Sequence, residues 1–447
     1  MNKYYDLVVI GAGSGGLAAA KHAAKNGLSV AICESKLIGG TCVNYGCIPK
    51  KVLFYAAQYQ EVFTKAISLG WIFDTPKFNW STLIETIDNF IQDLRHTHEK
   101  KLDAKNIDFI KGSAEFLETN VITINGLIIN FKNLIIASGS TPNIIDIPGK
   151  EYCYISDDIF SLQKLPKHLT IVGGGYIAVE LASFLNNFGC SVHIIHRGER
   201  ILKEFDSEVA LILQNILLAQ GIKISLNTEV TKIEKLKELY NVYLNTDTHI
   251  STELILLATG RHANIEQLNT NKLNLLRNKK GYIEVNSRYQ TNMSHIYAIG
   301  DVIENVALTP VAIREGIIAV NNILNKEHKS INYQEIPTAI FCHPSLGCYG
   351  LTEDEAAKKY NIEVFKTSFI DLENSVTKSG NQTFIKVIIN IDNDRILGFH
   401  IMANNAAEII QSVALALANG VTRSQLKHVM ALHPTIVEEL IYLLNDD

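Results

Sequence analysis

The sequence predicts an α/β fold: two Rossmann-like, parallel-sheet units followed by a C-terminal α+β domain. Three observations carry this. An apolar β-type run, a glycine cluster and a helical apolar period occur in that order at YDLVVIGAGSGGLAAAKHAAKNG, and the same order returns at HLTIVGGGYIAVELASFLNNFG. Each unit is followed by a further apolar strand, LSVAICE or SVHIIHR, so each is a βαβ unit and implies a parallel sheet. From about Asn332 onward, strands and helices continue without glycine clusters.

Composition bounds the function. A chain of 447 residues, 47% of them apolar, suffices for roughly three domains of about 150 residues with large cores. The formal net charge of −5, without blocks of like charge, gives no reason to expect nucleic acid or a membrane surface, so small-molecule ligands are expected. Seven cysteines, few and odd in number, fit a reducing compartment, the cytoplasm. No apolar run reaches the ~18 residues of a membrane span. The N-terminus imitates a signal peptide, but Asp6 and the glycines interrupt its apolar core, so it is read as mature protein.

The first unit carries Gly11, Gly13 and Gly16 in a GxGxxG pattern, and its helix closes at Gly27. The first glycine permits a tight turn, the second lets backbone approach a pyrophosphate, and the third lets helix and strand pack closely. The helix N-terminus adds N–H donors and partial positive charge. The next strand ends at Glu34, an acceptor for ribose hydroxyls. This loop therefore suits FAD or NAD.

GGTCVNYGCIPKK follows, with Cys42 and Cys47 in a CxxxxC spacing. Zinc sites show further pairs that are missing here, and the compartment disfavours a structural bridge. A redox pair is favoured. The pattern from Ile48 to Phe63 places the cysteines in the first turn of a helix, where the dipole and Lys50 or Lys51 favour a thiolate.

Next come a long helical region from Tyr55 to Lys105, the strand-like VITINGLIINFKNLIIASG and a joint at TPNIIDIPG, with a domain boundary near residue 140. The second unit carries Gly173, Gly175 and Ala178 as GxGxxA and closes at Gly189. At the offset that leads from Gly11 to Glu34, this unit has His196, followed by Arg197, Arg200 and Lys203. No acid stands there, and cations face a 2′-phosphate, so this loop suits NADPH. LILLATGR and HIYAIGDV are returning strands. Helix AAEIIQSVALALANG, apolar around much of its circumference, is core or subunit interface. Two dinucleotide sites give a redox pair its electron source, from NADPH to flavin to disulfide.

These segments together resemble, essentially from end to end, the pyridine nucleotide-disulfide oxidoreductase family and within it the glutathione reductases. GGTCVNYGCIPKK resembles the redox-active disulfide motif, IIASGSTP and YAIGDV the later flavin segments, GGGYIAVELA and HRGERILKEFD the NADPH domain, and LTPVAIREG and HPTIVEEL the active-site and dimer-interface segments. The resemblance implies an FAD-binding domain in residues 1–140, an NADPH-binding domain in 141–258, a second FAD-binding or central part in 259–330 and a dimerisation domain in 331–447. It implies the reaction GSSG + NADPH + H+ to 2 GSH + NADP+. Cys47 is then the flavin-proximal sulfur and Cys42 the sulfur that attacks the substrate.

By the same resemblance Lys50 and Glu180 pair beside the flavin, and Tyr176 covers the nicotinamide pocket. Glu34 and Asp301 hold FAD hydroxyls, and Arg197, Lys203 and Arg200 hold the 2′-phosphate. Gly11, Gly13, Ser14, Gly15, Gly16, Gly40, Thr41, Lys50, Ser138, Gly139, Gly300 and Thr309 also face FAD, while Gly173, Gly175, Ile177, Glu180 and Gly260 face NADPH. His433, supported by Glu438, is the acid-base delivered by the other subunit of a homodimer. Imidazole titrates near neutrality, as thiolate protonation requires.

The substrate side departs from the family pattern. Ser14 and Thr309 match. Lys21 stands where an arginine is usual and loses its bidentate fork, His98 aligns with a tyrosine, and Ile317 replaces an arginine, with Arg314 a compensating cation. The nearest rival, dihydrolipoamide dehydrogenase, favours NAD, with an acid at the position of His196, and commonly serine at the position of Lys51. Mercury-type and thioredoxin-type reductases carry a redox tail that IYLLNDD lacks. Other small-disulfide reductases, and a flavin-binding scaffold without turnover, are the remaining alternatives. No metal is expected.

Overall fold

The computed structural model describes residues 3–74, 76–326 and 330–445. Residues 1–2 and 446–447, the outer ends of the first and last expected domains, and 327–329 of the expected 259–330 segment lie outside the described residues.

The first glycine-loop unit opens a seven-stranded sheet. Its strand Lys3–Ile10 lies between Val30–Glu34 and Leu127–Ile136, all parallel, with Ile10 opposite Cys33 on one side and Ile136 on the other. Leu7 to Ile10 and Leu134 to Ile136 are buried, as parallel strands covered on both faces require. Helix α1 (Ser14–Lys25) covers one face with Leu17, Ala19, Ala20 and Ala23. After traversing the second unit the chain returns, and Ile296–Ala298 joins Leu127–Ile136 in parallel.

The cysteines, expected together in one first turn, fall on two helices, Cys42 in α2 (Gly40–Asn44) and Cys47 at the start of α3 (Cys47–Ser68). The long helical region expected from Tyr55 to Lys105 is the rest of α3 and a separate α4 (Trp80–Asp103). Beyond α3, Gly70 has φ +95° and the Trp71 N–H donates back to Ala66 O at 3.0 Å, a glycine stop. Asn79 starts α4 by accepting the Thr82 N–H at 3.2 Å. Hydrophobic period alone carries over such a break. Between the helices Trp71 and Ile72 stand 70% and 97% exposed.

The second unit is a five-stranded parallel sheet, in spatial order Lys223–Ser225, Ser191–Ile195, His168–Val172, Leu254–Leu257 and Tyr154–Ile155. Helices α5 (Tyr176–Asn187) and α6 (Ser207–Ala219) belong to it. The two crossings between the units pair with each other, Ser140–Pro142 antiparallel to Arg261–Ala263. Helix α7 (Thr309–Ile323) then packs on α1. A Cβ on Gly316 would fall 2.7 Å from Gly15 O, and one on Gly15 3.0 Å from Ala312 O, so small residues set the close crossing.

The C-terminal domain is a five-stranded antiparallel sheet running from Thr338–Ile340 to Ile362–Phe369. Lys386 in its middle, 1% exposed, meets Asp206 at 2.8 Å and Glu353 at 2.7 Å. Asp206 also caps α6, so this buried cluster ties the domain to the second unit. The apolar helix Ala406–Leu417 buries Ile410 and Ala414 and leaves Leu415 65% exposed. Among the described residues no helix is long and apolar enough to cross a membrane.

Candidate active site

Gly11 has φ +102°, and a Cβ there would lie 2.3 Å from Ala137 O; one on Gly16 would lie 1.9 Å from Gly11 O, and one on Gly40, with φ +62°, 2.7 Å from the Gly13 Cα. Only glycine fits this cradle. Gly13 caps α1, so the first-turn N–H groups are available to an anion. The cradle opens into a cleft lined by Gly11, Gly13, Glu34, Gly40, Thr41, Ser138 and Gly139 among others. Glu34 accepts the Ala12 N–H at 2.9 Å and the Lys36 N–H at 2.8 Å, which leaves about two of its acceptor positions for hydroxyls. Ser138 Oγ is buried without a partner among the described residues, the condition a bound molecule relieves. These residues fit the adenosine and pyrophosphate of FAD.

Farther along, Ser140 Oγ donates to Asp301 Oδ2 at 3.0 Å, while Arg261 Nε donates to Ser140 Oγ at 2.8 Å and its Nη2 to Ser140 O at 2.8 Å. The Gly300 N–H, next to Asp301, is held by buried Glu315. Neither Arg261, Ser140 nor Glu315 is among the residues expected from sequence, although each stands in a quoted motif.

Cys42 lies in α2, and Cys47 is the first residue of α3, exposed toward the N-terminus of α7. Its Sγ is 3.5 Å from Thr309 Oγ1. Both sulfurs are free thiols. The Cys42 S–H donates to Cys47, and this bond, helped by Thr309 and the Lys50 charge against burial, brings the Cys47 thiol down to about 6. The same bond, with burial, pushes Cys42 up, opposed by Thr309 and Ser14. The pair therefore favours the proton on Cys42 and the thiolate on Cys47. Asn44, missed by sequence reading though it lies between the cysteines, donates to Ile38 O at 3.1 Å and Gly40 O at 2.8 Å and so fixes the loop before Cys42.

Lys50 on α3 reaches Glu180 on α5 at 2.5 Å. Glu180 is 3% exposed and also accepts the Phe341 N–H at 2.9 Å. Burial raises its carboxyl, against the Lys50 charge. The second glycine loop lies at the start of α5. Gly173, at φ +137°, would put a Cβ 2.2 Å from Ala258 O, two residues before Gly260, whereas a Cβ on Gly175 would meet nothing within 4 Å. Gly175 caps α5, Tyr176 is 40% exposed with its hydroxyl pKa raised by burial and by the charges of Glu180 and Asp301, and Ile177 is half-buried. His196 packs its ring against Gly174 and is not a free cation: burial first, then Arg197, lowers its pKa.

Arg197 and Lys203 are exposed, and among the described residues neither has a recorded partner. Arg200 differs. Its guanidinium donates to the carbonyls of Leu202, Lys203 and Phe205 at 3.1, 3.0 and 3.3 Å, so it braces the loop. The open Gly175 and the two uncommitted cations fit a dinucleotide with a 2′-phosphate.

On the substrate side, Lys21 is half-buried, its pKa lowered by burial and then by Lys101 and Lys105. His98 Nδ1 is buried without a partner among the described residues, and burial, then Lys21, lowers its pKa. Ile317 is half-buried, while Arg314 is exposed and its charge falls on Tyr289. His433 Nδ1 lies 2.9 Å from Glu438 Oε2 and 3.1 Å from Oε1. The Thr435 N–H and then His433 hold Glu438 below the usual carboxylate range. The His433 side chain is 79% exposed, and no recorded bond joins it to either cysteine of its own chain. The fold thus gathers Ser14, Cys42, Cys47, Thr309, Lys50 and Glu180, and leaves an exposed His433 on a buried Glu438 as a separate pair.

Residues 5–316 match the family described as pyridine nucleotide-disulphide oxidoreductase, and residues 336–443 match the pyridine nucleotide-disulphide oxidoreductase dimerisation domain. The chain is 34% identical to a glutathione reductase of Burkholderia cepacia over 447 residues, covering 100% of both chains. It is 35% identical over 452 residues to a glutathione reductase of Nostoc sp., covering 98% of each. With a chloroplastic/mitochondrial glutathione reductase of Pisum sativum it shares 33% identity over 450 residues, 98% of this chain and 82% of that one.

Proposed function

The chain belongs to the pyridine nucleotide-disulphide oxidoreductase family, and we infer that it is an NADPH-dependent flavin disulfide reductase whose substrate is glutathione disulfide. The observation that carries this is the contact of Lys50 with Glu180, which joins the helix that starts at Cys47 to the helix that starts at the second nucleotide loop. Glu34, Asp301 and the Gly11–Gly16 turn would hold FAD. Arg197 and Lys203 would hold the 2′-phosphate of NADPH, with Arg200 shaping their loop. When bound, FAD accepts hydride from NADPH and returns the electron pair to the cysteine disulfide.

The protein's own groups manage protons and sulfur. In the dithiol, Cys42 carries the proton and Cys47 the charge, so Cys42 attacks only after losing that proton to a base. His433, with Nδ1 held by Glu438 and Nε2 open, is suited to take it. The Cys42 thiolate then bonds to one sulfur of glutathione disulfide and expels the other glutathione as a thiolate, which His433 protonates. Cys47 attacks the Cys42 sulfur, the Cys42–Cys47 bond forms, and the second glutathione leaves as a thiolate and takes a proton.

Because His433 is exposed and unconnected to its own cysteines, the base is supplied by a second copy, and the enzyme is a homodimer. The match of residues 336–443 to a dimerisation domain supports this. The low, odd cysteine count supports the cytoplasm.

NADPH oxidation measured against glutathione, lipoamide, trypanothione-like and coenzyme A disulfides tests the substrate. Fastest turnover is expected with glutathione disulfide. A stopped-flow trace in which NADPH reduces the flavin while millimolar glutathione disulfide never reoxidises it would remove that substrate. Absence of any dithiol spectral species on anaerobic NADPH titration would favour a non-catalytic scaffold.

A further inference from the structure

Glu315 on α7 is fully buried, and among the described residues no cation pairs with it. It meets three donors instead. Its Oε2 accepts the Gly300 N–H at 2.7 Å, and its Oε1 accepts Asn305 Nδ2–H at 2.5 Å and the Tyr333 O–H at 2.5 Å. Tyr333 OH lies 2.9 Å from Tyr289 OH. A buried carboxylate is costly unless its lone pairs are satisfied, and here three donors, from Gly300, Asn305 and Tyr333, converge on it.

Two of those donors matter to the site. Gly300, with φ +69°, immediately precedes Asp301, whose carboxylate is aimed by Ser140 and Arg261 from the other side. Tyr333 belongs to the short 3-10 turn Tyr333–Glu335 that leads into the C-terminal domain. The base of the network does not shift easily, because α7 is locked on α1 by the Gly15–Gly316 crossing.

We propose that Glu315 is a positioning residue that pins the Gly300–Asp301 turn for flavin binding, and that Tyr333 makes the entrance to the C-terminal domain part of that device. This rests on the reading that Asp301 holds FAD. With glutamine at 315, one face is an amide donor that opposes the Gly300, Asn305 or Tyr333 donor, and the turn loosens. With phenylalanine at 333, the carboxylate loses one of its three donors while the ring's packing is kept.

The test is the rate of FAD release from the holoenzyme, read as free-flavin fluorescence at fixed temperature, with far-UV circular dichroism as a fold control. Glu315→Gln is expected to speed release about tenfold or more and Tyr333→Phe about threefold to tenfold, as loss of a bond to a buried charge implies. Asp301→Ala is the reference. If it releases FAD at the wild-type rate, the assignment of Asp301 fails. If it speeds release while folded Glu315→Gln and Tyr333→Phe do not, the positioning role is overturned. Should Glu315→Gln not fold, Tyr333→Phe decides alone.

Discussion

Lys50 Nζ and Glu180 Oε1 lie 2.5 Å apart, side chains of α3 and α5 that meet where one helix begins with Cys47 and the other with the second glycine loop. Removing the cation in Lys50→Met leaves Glu180 buried with only the Phe341 N–H, a loss of about 3–5 kcal/mol for an unpaired buried charge. Glu180→Gln is milder, since the amide oxygen still accepts from Phe341 and Lys50 is 18% exposed. Both variants misalign the two helices. NADPH reduction of the bound flavin is expected to slow about tenfold to a hundredfold, and stopped-flow absorbance measures it. A wild-type rate in Lys50→Met would detach this pair from hydride delivery.

The proton arrangement of the dithiol gives a pH signature. Cys47 titrates at about 6 chiefly because Cys42 donates to it. Thiolate absorbance of the reduced protein should therefore appear as pH rises through about 6, and Cys42→Ala should move that midpoint up toward the free-thiol value of ~8.5. The folded Cys47 pKa lies below the unfolded one, so its contribution to stability grows as pH rises from about 6 toward ~8.5 and is lost as pH falls back through the folded value, while above ~8.5 the raised Cys42 thiol acts in the opposite sense. Denaturation midpoints of the reduced protein at successive pH values check the sign.

Much of this was legible because its signals are local. Each glycine loop announces its own strand and helix, and Glu34 against Arg197 distinguishes the two within a few residues of the strand ends. What stayed hidden depends on contacts distant in sequence. The Arg261–Ser140–Asp301 chain exists only because the two domain crossings pair. Glu315 carries no local signal in the sequence, because its partners Gly300 and Tyr333 reach it only in the fold. The break between α3 and α4 is signalled locally by Gly70 and Pro76, which a reading of the whole stretch as a long helical region passes over. Arg200 is indistinguishable from Arg197 by charge, and only loop geometry turns it onto carbonyls.

That distinction between two arginines is testable. Arg197→Glu should raise the KM for NADPH roughly tenfold to a hundredfold, the worth of a charged hydrogen bond, and leave NADH nearly unchanged. Arg200→Ala removes three loop bonds and should weaken both nucleotides, with a lower thermal midpoint. Steady-state kinetics with each nucleotide separates the cases. Equal loss of NADPH and NADH in Arg197→Glu would remove the phosphate assignment.

His433 bonds Glu438 through Nδ1 and is 79% exposed, without a recorded link to Cys42 of its own chain. If each site joins Cys42 of one copy to His433 of the other, Cys42→Ser and His433→Ala homodimers should each be nearly inactive toward glutathione disulfide. Mixed dimers then regain one site, because the His433→Ala chain still supplies Cys42 and the Cys42→Ser chain still supplies His433. Random pairing of equal amounts makes half the dimers mixed, each with one working site of two, so about a quarter of wild-type activity should return. A histidine acting within its own chain predicts no recovery, since neither chain then holds both groups. Dissociating and reassociating differently tagged subunits, then assaying the doubly tagged fraction, reads the outcome without contribution from either parent.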